Sequence, residues 1–443
     1  MKKTILVLFA FCFLSGAAYL IIDFWSKHEL NKITSNWPVL DRNLAEFPIL
    51  FPQTPPNKSA ITLHQLNTNL MEVYGKRGNE HFTDLVNSYM SASLETPSNL
   101  IDAPPEQLLS FLNSISVEFD KILSILETEE EPIFAFDPQP SPEQEIIPIS
   151  WPRYLDKLLL TKALIEEKEG NTTEAWRYIS VSANLIDAMF ANPTLIAQML
   201  GLAMARDTLL VMRKLTTPAP DHLTQWPDHD IKNSFLWALC TEAFYSLNLA
   251  QNGEILPLIE LHNEWSKDFA AQPVSVGLWT RFLALAFERP YMRFLAAARL
   301  KGFRNQIDSF NKTGLCQSAP DLSEQQQNNL RIHWLLKSDL TETLLFGLTI
   351  LEFDFSMYWN RLQQLMIHKR GAQSILQVKR EKAATGVWPE QYSPVFDDCK
   401  NLSWTYSTDN KGGISFTFPQ TKADNFPPSI QKEYLIYTES VSN

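Results

Sequence analysis

The sequence predicts a mainly α-helical protein: a body of helical hairpins or a helix bundle, a small antiparallel β-sheet at the C-terminus, and a transmembrane helix at the N-terminus. Three observations carry this expectation. Met1-Lys2-Lys3 leads into nineteen residues without a charge, Thr4 to Ile22. Between residues 151 and 385, apolar side chains recur at steps of three and four, separated by helix stop and start signals. After Gly386 the pattern changes to alternation around a glycine-containing turn.

Residues 1–25 read as a signal-anchor helix, because about 20 apolar residues are needed to cross a ~30 Å hydrocarbon core. Phe24 and Trp25 supply interfacial aromatics. Lys2 and Lys3 before the span, with Asp23 after it, put the N-terminus in the cytoplasm. The expected location is the bacterial cytoplasmic (inner) membrane, single-pass, with the C-terminal body extracytoplasmic, in the periplasm. Ser15-Gly16-Ala17-Ala18 also has the form of a cleavage site, so a removed secretory signal competes with this reading. Phe11 stands where a small residue should precede Cys12 if that cysteine were lipidated.

Residues 26–60 contain Pro38, Pro48, Pro52, Pro55 and Pro56 and read as a Pro-rich stalk between membrane and body. Residues 61–127 form an N-terminal helical region. It has one or two weaker helices up to residue 95, then a clearer one opened by Pro104-Pro105-Glu106 and carrying Leu108, Leu112, Ile115, Phe119, Ile122 and Ile125. Residues 128–150, acidic and rich in proline, read as a linker or a wrapped loop.

The main helical domain spans 151–385. Helices are expected at 151–169 and 174–190, divided by Gly170-Asn171, and at 194–215 after Asn192-Pro193. The first two resemble a tetratricopeptide unit, since Ala163, Gly170 and Ala175 match its small-residue positions, whereas Lys162, Glu166 and Asp187 depart from it. Further helices are expected at 231–250, 254–270 and 276–310, bent at Pro290, and over 339–384. In the last, Leu344, Leu348, Leu351, Phe355, Tyr358, Leu362 and Leu365 keep coiled-coil spacing, which suits a dimer seam or burial within the chain's own bundle. Lys379, Arg380 and Lys382 suit that helix's C-terminus. Residues 386–443 form the β-rich region, with strands at 402–406 and 414–418 and a third at 434–437.

The stretch from Gln377 to Glu390, followed by that sheet, resembles the helix-to-sheet junction of type II secretion pseudopilins. Those proteins place this helix at the N-terminus and carry a processing site that Met1 to Ile22 lacks. Asn192-Pro193-Thr194-Leu195 through Ala203 is similar to a motif of uncharacterised, membrane-anchored bacterial proteins of planctomycete-like genomes. The resemblance covers about residues 150 to 420 and implies architecture only.

Net charge is −12, which argues against a nucleic-acid binder, and 45% hydrophobic content excludes general disorder. No cofactor motif is present, and no Gly-x-Ser-x-Gly or His-Glu-x-x-His. Of the four cysteines, Cys240 reads as core, and Cys316 with Cys399 is a disulfide candidate outside the cytoplasm. His222, Asp228 and His229, with Asp221 and Asp230, are weak metal candidates against a plain helix-capping turn. Glu260, Glu264 and Asp268 share a helical face around His262, the one arrangement suited to general acid catalysis. Arg281, Arg289, Arg293, Arg299 and Arg304, with Lys301, form the best candidate for an anion or partner surface, or else pair internally with acids. The function expected is a membrane-anchored envelope interaction or scaffold protein, contacting the membrane through residues 4–22 and an envelope protein or anionic ligand through its body. The alternative is an extracytoplasmic hydrolase or lytic enzyme acting on cell-envelope glycan.

Overall fold

The computed structural model describes residues 2–75, 80–95, 99–128, 130–139, 151–252, 278–315, 355–392, 405–408, 413–417 and 437–439. Twelve helices lie among them. They are α1 (Lys2–Thr34), α2 (Phe47–Leu50), α3 (Lys58–Gly75), α4 (Glu80–Glu95), α5 (Glu106–Ser114), α6 (Ser116–Thr128), α7 (Trp151–Glu169), α8 (Thr172–Ala191), α9 (Leu195–Lys214), α10 (Ile231–Asn252), α11 (Leu278–Lys312) and α12 (Ser356–Thr385). A small antiparallel sheet follows, with β1 (Thr405–Thr408) paired to β2 (Ile414–Thr417) and β2 to β3 (Tyr437–Glu439).

The expected hairpin forms from α7 and α8. Gly170 adopts φ +86 at the turn, a conformation that penalises any side chain, and Ala163 and Ala175 are fully buried where the two helices meet. α9 packs back on α8 so closely that a Cβ on Gly201 would stand 2.8 Å from the Phe190 ring. The N-cap of α9 is Thr194 rather than Asn192. The Thr194 hydroxyl accepts from the Ala197 N–H at 3.4 Å, while Asn192 Oδ1 accepts from the Thr194 N–H and hydroxyl at 3.1 and 2.8 Å.

Three expectations are corrected. Residues 26–60 are not a stalk: α1 continues to Thr34, and Trp37, Leu40, Leu44 and Phe47 are buried in the common core. Trp37 donates its indole N–H to Cys240 Sγ at 3.2 Å, and Phe47 stacks on Phe244 at 5.2 Å. Proline excludes regular helix but says nothing about burial, which the aromatic and aliphatic residues between the prolines decide. Of the two readings of the segment after α6, residues 130–139 follow the wrapped loop, lying along the body with Phe136 buried and bridged to Thr54. The helix after Pro105 is broken at Ile115, whose ψ of 1° ends α5 before α6 begins.

The last correction concerns Lys379. It is buried, and its ammonium donates to the Arg213 and Leu215 carbonyls at 2.8 and 2.5 Å, closing the C-terminus of α9 rather than that of its own helix. Its neighbours also reach outward, Arg380 to Asp221 at 3.1 Å and Lys382 over the Trp388 ring at 4.0 Å.

α12 ends at Gly386 with φ +78. Of the heptad positions, Phe355, Leu362 and Leu365 are buried in the chain's own core, beside the stacked pair Trp359–Phe310 at 4.9 Å. Leu344, Leu348 and Leu351 lie outside the described residues, as do the helix expected at 254–270 and the first part of that expected at 339–384.

Candidate functional site

Three segments remote in sequence form a groove of about 230 Å³, lined by Leu50 to Pro52 and Thr54, by Glu131 to Phe134 and Phe136, and by Ala188 and Ala191 to Pro193 at the α8–α9 turn. Two asparagines build it. Asn57 accepts from the Ala60 N–H, capping α3, and from the Ile133 N–H, both at 3.0 Å, while its amide donates to the Glu131 carbonyl at 2.8 Å. On the other side, the Asn192 amide donates to the Ala135 carbonyl at 3.3 Å. The Gln198 amide then ties α8 to α9 by donating to the Phe190 and Asn192 carbonyls at 2.8 Å. The walls are aromatic: Phe51 lies 4.9 Å from both Phe47 and Trp237, and Phe134 meets Trp151 edge-on. Ile49, Leu50, Ile133 and, at the start of α9, Ile196 stay exposed.

Acids lie close behind it. Asp187 accepts from Trp226 Nε1 at 3.1 Å, yet burial, with Asp228 and Glu131 adding negative field, pushes its carboxyl up to about 6. A folded-state value raised above the unfolded one means that stability is fully present below about pH 4 and is lost as pH rises through about 6. Asp187→Asn keeps the acceptor for Trp226 and removes the charge. It is therefore expected to raise the melting temperature at pH 7, by about 1–2 kcal/mol after screening, and to have no effect at pH 4. Melting curves of the two proteins across this range are the check, and a shift that does not depend on pH would refute the assignment.

A second buried acid joins three helices. Ser182 of α8 donates to Asp156 of α7 at 2.5 Å and lies 3.0 Å from the Thr208 hydroxyl of α9. Burial pushes the carboxyl of the fully buried Asp156 well above the usual range. This is a helix-joining knot without a substrate face.

The candidate metal residues go to separate neighbours. His222 Nε2 meets Ser180 Oγ at 3.1 Å, Asp221 pairs with Arg380, and His229 stacks on Phe190 and bonds Ser234 Oγ at 2.5 Å. Asp230 caps α10 through the Asn233 N–H. Among the described residues, no three His, Cys, Asp or Glu gather as metal ligands. Glu260, His262, Glu264, Asp268, Cys316 and Cys399 lie outside the described residues.

The arginines turn inward. Arg293 forms an ion pair with Asp23 of α1, which also holds Lys27 at 2.8 Å. Trp25 meets Phe294 edge-on at 5.1 Å, and Ser26, fully buried, leaves room for the two helices to approach. Arg304 donates to the Ile33, Ser35 and Asn36 carbonyls at 3.2, 3.3 and 3.3 Å, closing the end of α1. Arg299 lies against Glu242, where burial lowers the guanidinium value and raises the carboxyl one. Arg289 is exposed, and the Arg281 side chain lies outside the described ones.

No family model, curated protein or solved structure matches this chain. What the groove can hold follows from its walls. At about 230 Å³ it is smaller than the roughly 300–1,000 Å³ of small-molecule sites. Among the described residues Glu131 is the one titratable side chain lining it, and the rest of the lining is mainly apolar. Its size suits one or two apolar side chains of a partner. In the sequence Glu131 belongs to the acidic segment 128–150 and Asn192 to the start of the third helix of the body, and only the fold brings them together.

Proposed function

We propose that this chain is a membrane-anchored interaction or scaffold protein whose body lies outside the cytoplasmic membrane. The observation that carries the reading is the division of α1. Phe13, Leu20, Ile21 and Phe24 are each about 70% exposed, whereas Ser26, Leu30 and Thr34, one to three turns later, are buried against the body. A row of large bare apolar side chains is unfavourable in water and favourable in hydrocarbon. The uncharged run from Thr4 to Ile22, with Lys2 and Lys3 before it, gives that row a span and an orientation. Among the described residues α9 is the one helix that meets a length and hydropathy criterion for spanning, but 61% of its apolar window is buried. That makes it a core helix, since a span must face lipid.

The groove is the surface on which a partner's apolar side chain would seat, with Ile133 at its rim. Two results are expected. Protein tagged at Asn443 should stay with membranes after a carbonate wash and be digested by protease added outside the cytoplasm. Affinity capture from detergent-solubilised membranes should recover a partner that Ile133→Asp loses. Release of a soluble chain shortened by about 17 residues would reject the anchor in favour of a cleaved signal.

A further inference from the structure

We infer that the first half of α11 is a second membrane-contacting element, an interfacial segment lying beside the anchor and held by lipid phosphates. The inference rests on the anchor reading of α1 given above. Its basis is the relative direction of the two helices. The contacts joining them link residues a nearly constant distance apart in sequence: 270 for Asp23–Arg293, and 271, 269 and 268 for Arg304 with Ile33, Ser35 and Asn36. Antiparallel helices would change that separation by two for every residue, so α1 and α11 run parallel. Residues before Arg293 therefore continue in the same sense as those before Asp23, toward the membrane. α11 begins at Leu278, fifteen residues earlier, which is about 22 Å of helix.

α10 ends near the same level. α10 runs antiparallel to α11, with Lys232 donating to the Asn311 carbonyl at 2.9 Å and Phe235 meeting Phe310 edge-on. Twenty residues along α10 is its last residue, Asn252, and twenty residues back along α11 is Tyr291. The start of α11 thus extends past the last residue of α10.

The projecting sequence suits an interface. Phe282-Leu283-Ala284-Leu285-Ala286-Phe287 is an apolar run bracketed by Arg281 and by Glu288-Arg289. Six apolar residues cannot cross a bilayer, and an arginine at its centre is costly, so a segment of this composition belongs at the bilayer surface, where basic residues meet lipid phosphates. Pro290 removes a helix hydrogen bond immediately after Arg289, where the turn from anchor direction to membrane plane is needed. This gives Arg281 and Arg289 an anionic partner, while Arg293 and Arg304 serve the α1 junction.

The test uses the full chain in vesicles of phosphatidylethanolamine and phosphatidylglycerol. The photoreactive residue p-benzoylphenylalanine is placed, in separate variants, at Ile21, at each position from 282 to 286, and at Ile49 on the body. Five consecutive positions cover more than one turn, so one of them faces lipid whatever the helix rotation. After irradiation, mass spectrometry should find a phospholipid adduct at Ile21 and at one or more of the five, and none at Ile49. Adducts at Ile21 but at none of the five would overturn the inference and leave the anchor standing. Adducts at neither would overturn both.

Discussion

Trp37→Ala is expected to cost about 3–5 kcal/mol, a large share of the roughly 5–15 kcal/mol by which a typical domain is stable. Trp37 is fully buried, 203 residues in sequence from the Cys240 sulfur that accepts its indole N–H. Sulfur is a weak acceptor, so most of the loss comes from the cavity left between the 35–47 segment and α10. A Pro-rich spacer would tolerate the same change with no effect beyond about 0.5 kcal/mol. Urea denaturation of the detergent-solubilised protein separates the two, with Trp37→Phe as the control that loses the hydrogen bond and keeps most of the volume. If the alanine variant unfolds at the parent's midpoint, the segment does not belong to the folding unit.

The double variant Arg293→Gln, Arg304→Gln is expected to cost about 3–5 kcal/mol, taking about 1.5–3 kcal/mol for each group of charged hydrogen bonds and less than full additivity. The Arg293 and Asp23 side chains are only 18% and 16% exposed, so the pair is largely shielded from water, and removing Arg293 leaves Asp23 with the more exposed Lys27 alone. Removing Arg304 leaves three carbonyls at the end of α1 without their shared donor. The junction between α1 and the body should loosen, seen as faster proteolysis between residues 23 and 43 at a temperature where the rest of the body remains folded. An arginine surface meant only for an external anion would behave differently. Its exposed charges would contribute little to stability, and the melting temperature would stay within a degree or two of the parent's.

These two cases show where sequence reading stops. The Gly170-Asn171 stop and the Asn192-Pro193 start placed α7, α8 and α9 to within two residues, because helix signals are local. Local signals also located β1 and β2 around their turn. The arginines of α11 were visible as a cluster, but their partners were not, since Asp23 and the Ile33 carbonyl lie about 270 residues away. Lys379 was assigned to its own helix end for the same reason, and the end it closes belongs to α9.

By itself, the sequence determined the helical class, the boundaries of the strongest helices, the short C-terminal strands and the uncharged run at the N-terminus, all of which follow from composition and spacing within a few turns of chain. Only the tertiary structure decided that the Pro-rich segment is core, that Arg293 and Arg304 fasten α1, and that Glu131 and Asn192 line one groove. Each of these depends on which distant surfaces meet, and a buried residue and a solvated one can carry the same local pattern. Burial energy and hydrogen-bond partners are properties of the assembled surfaces, so they appear only when the chain has folded.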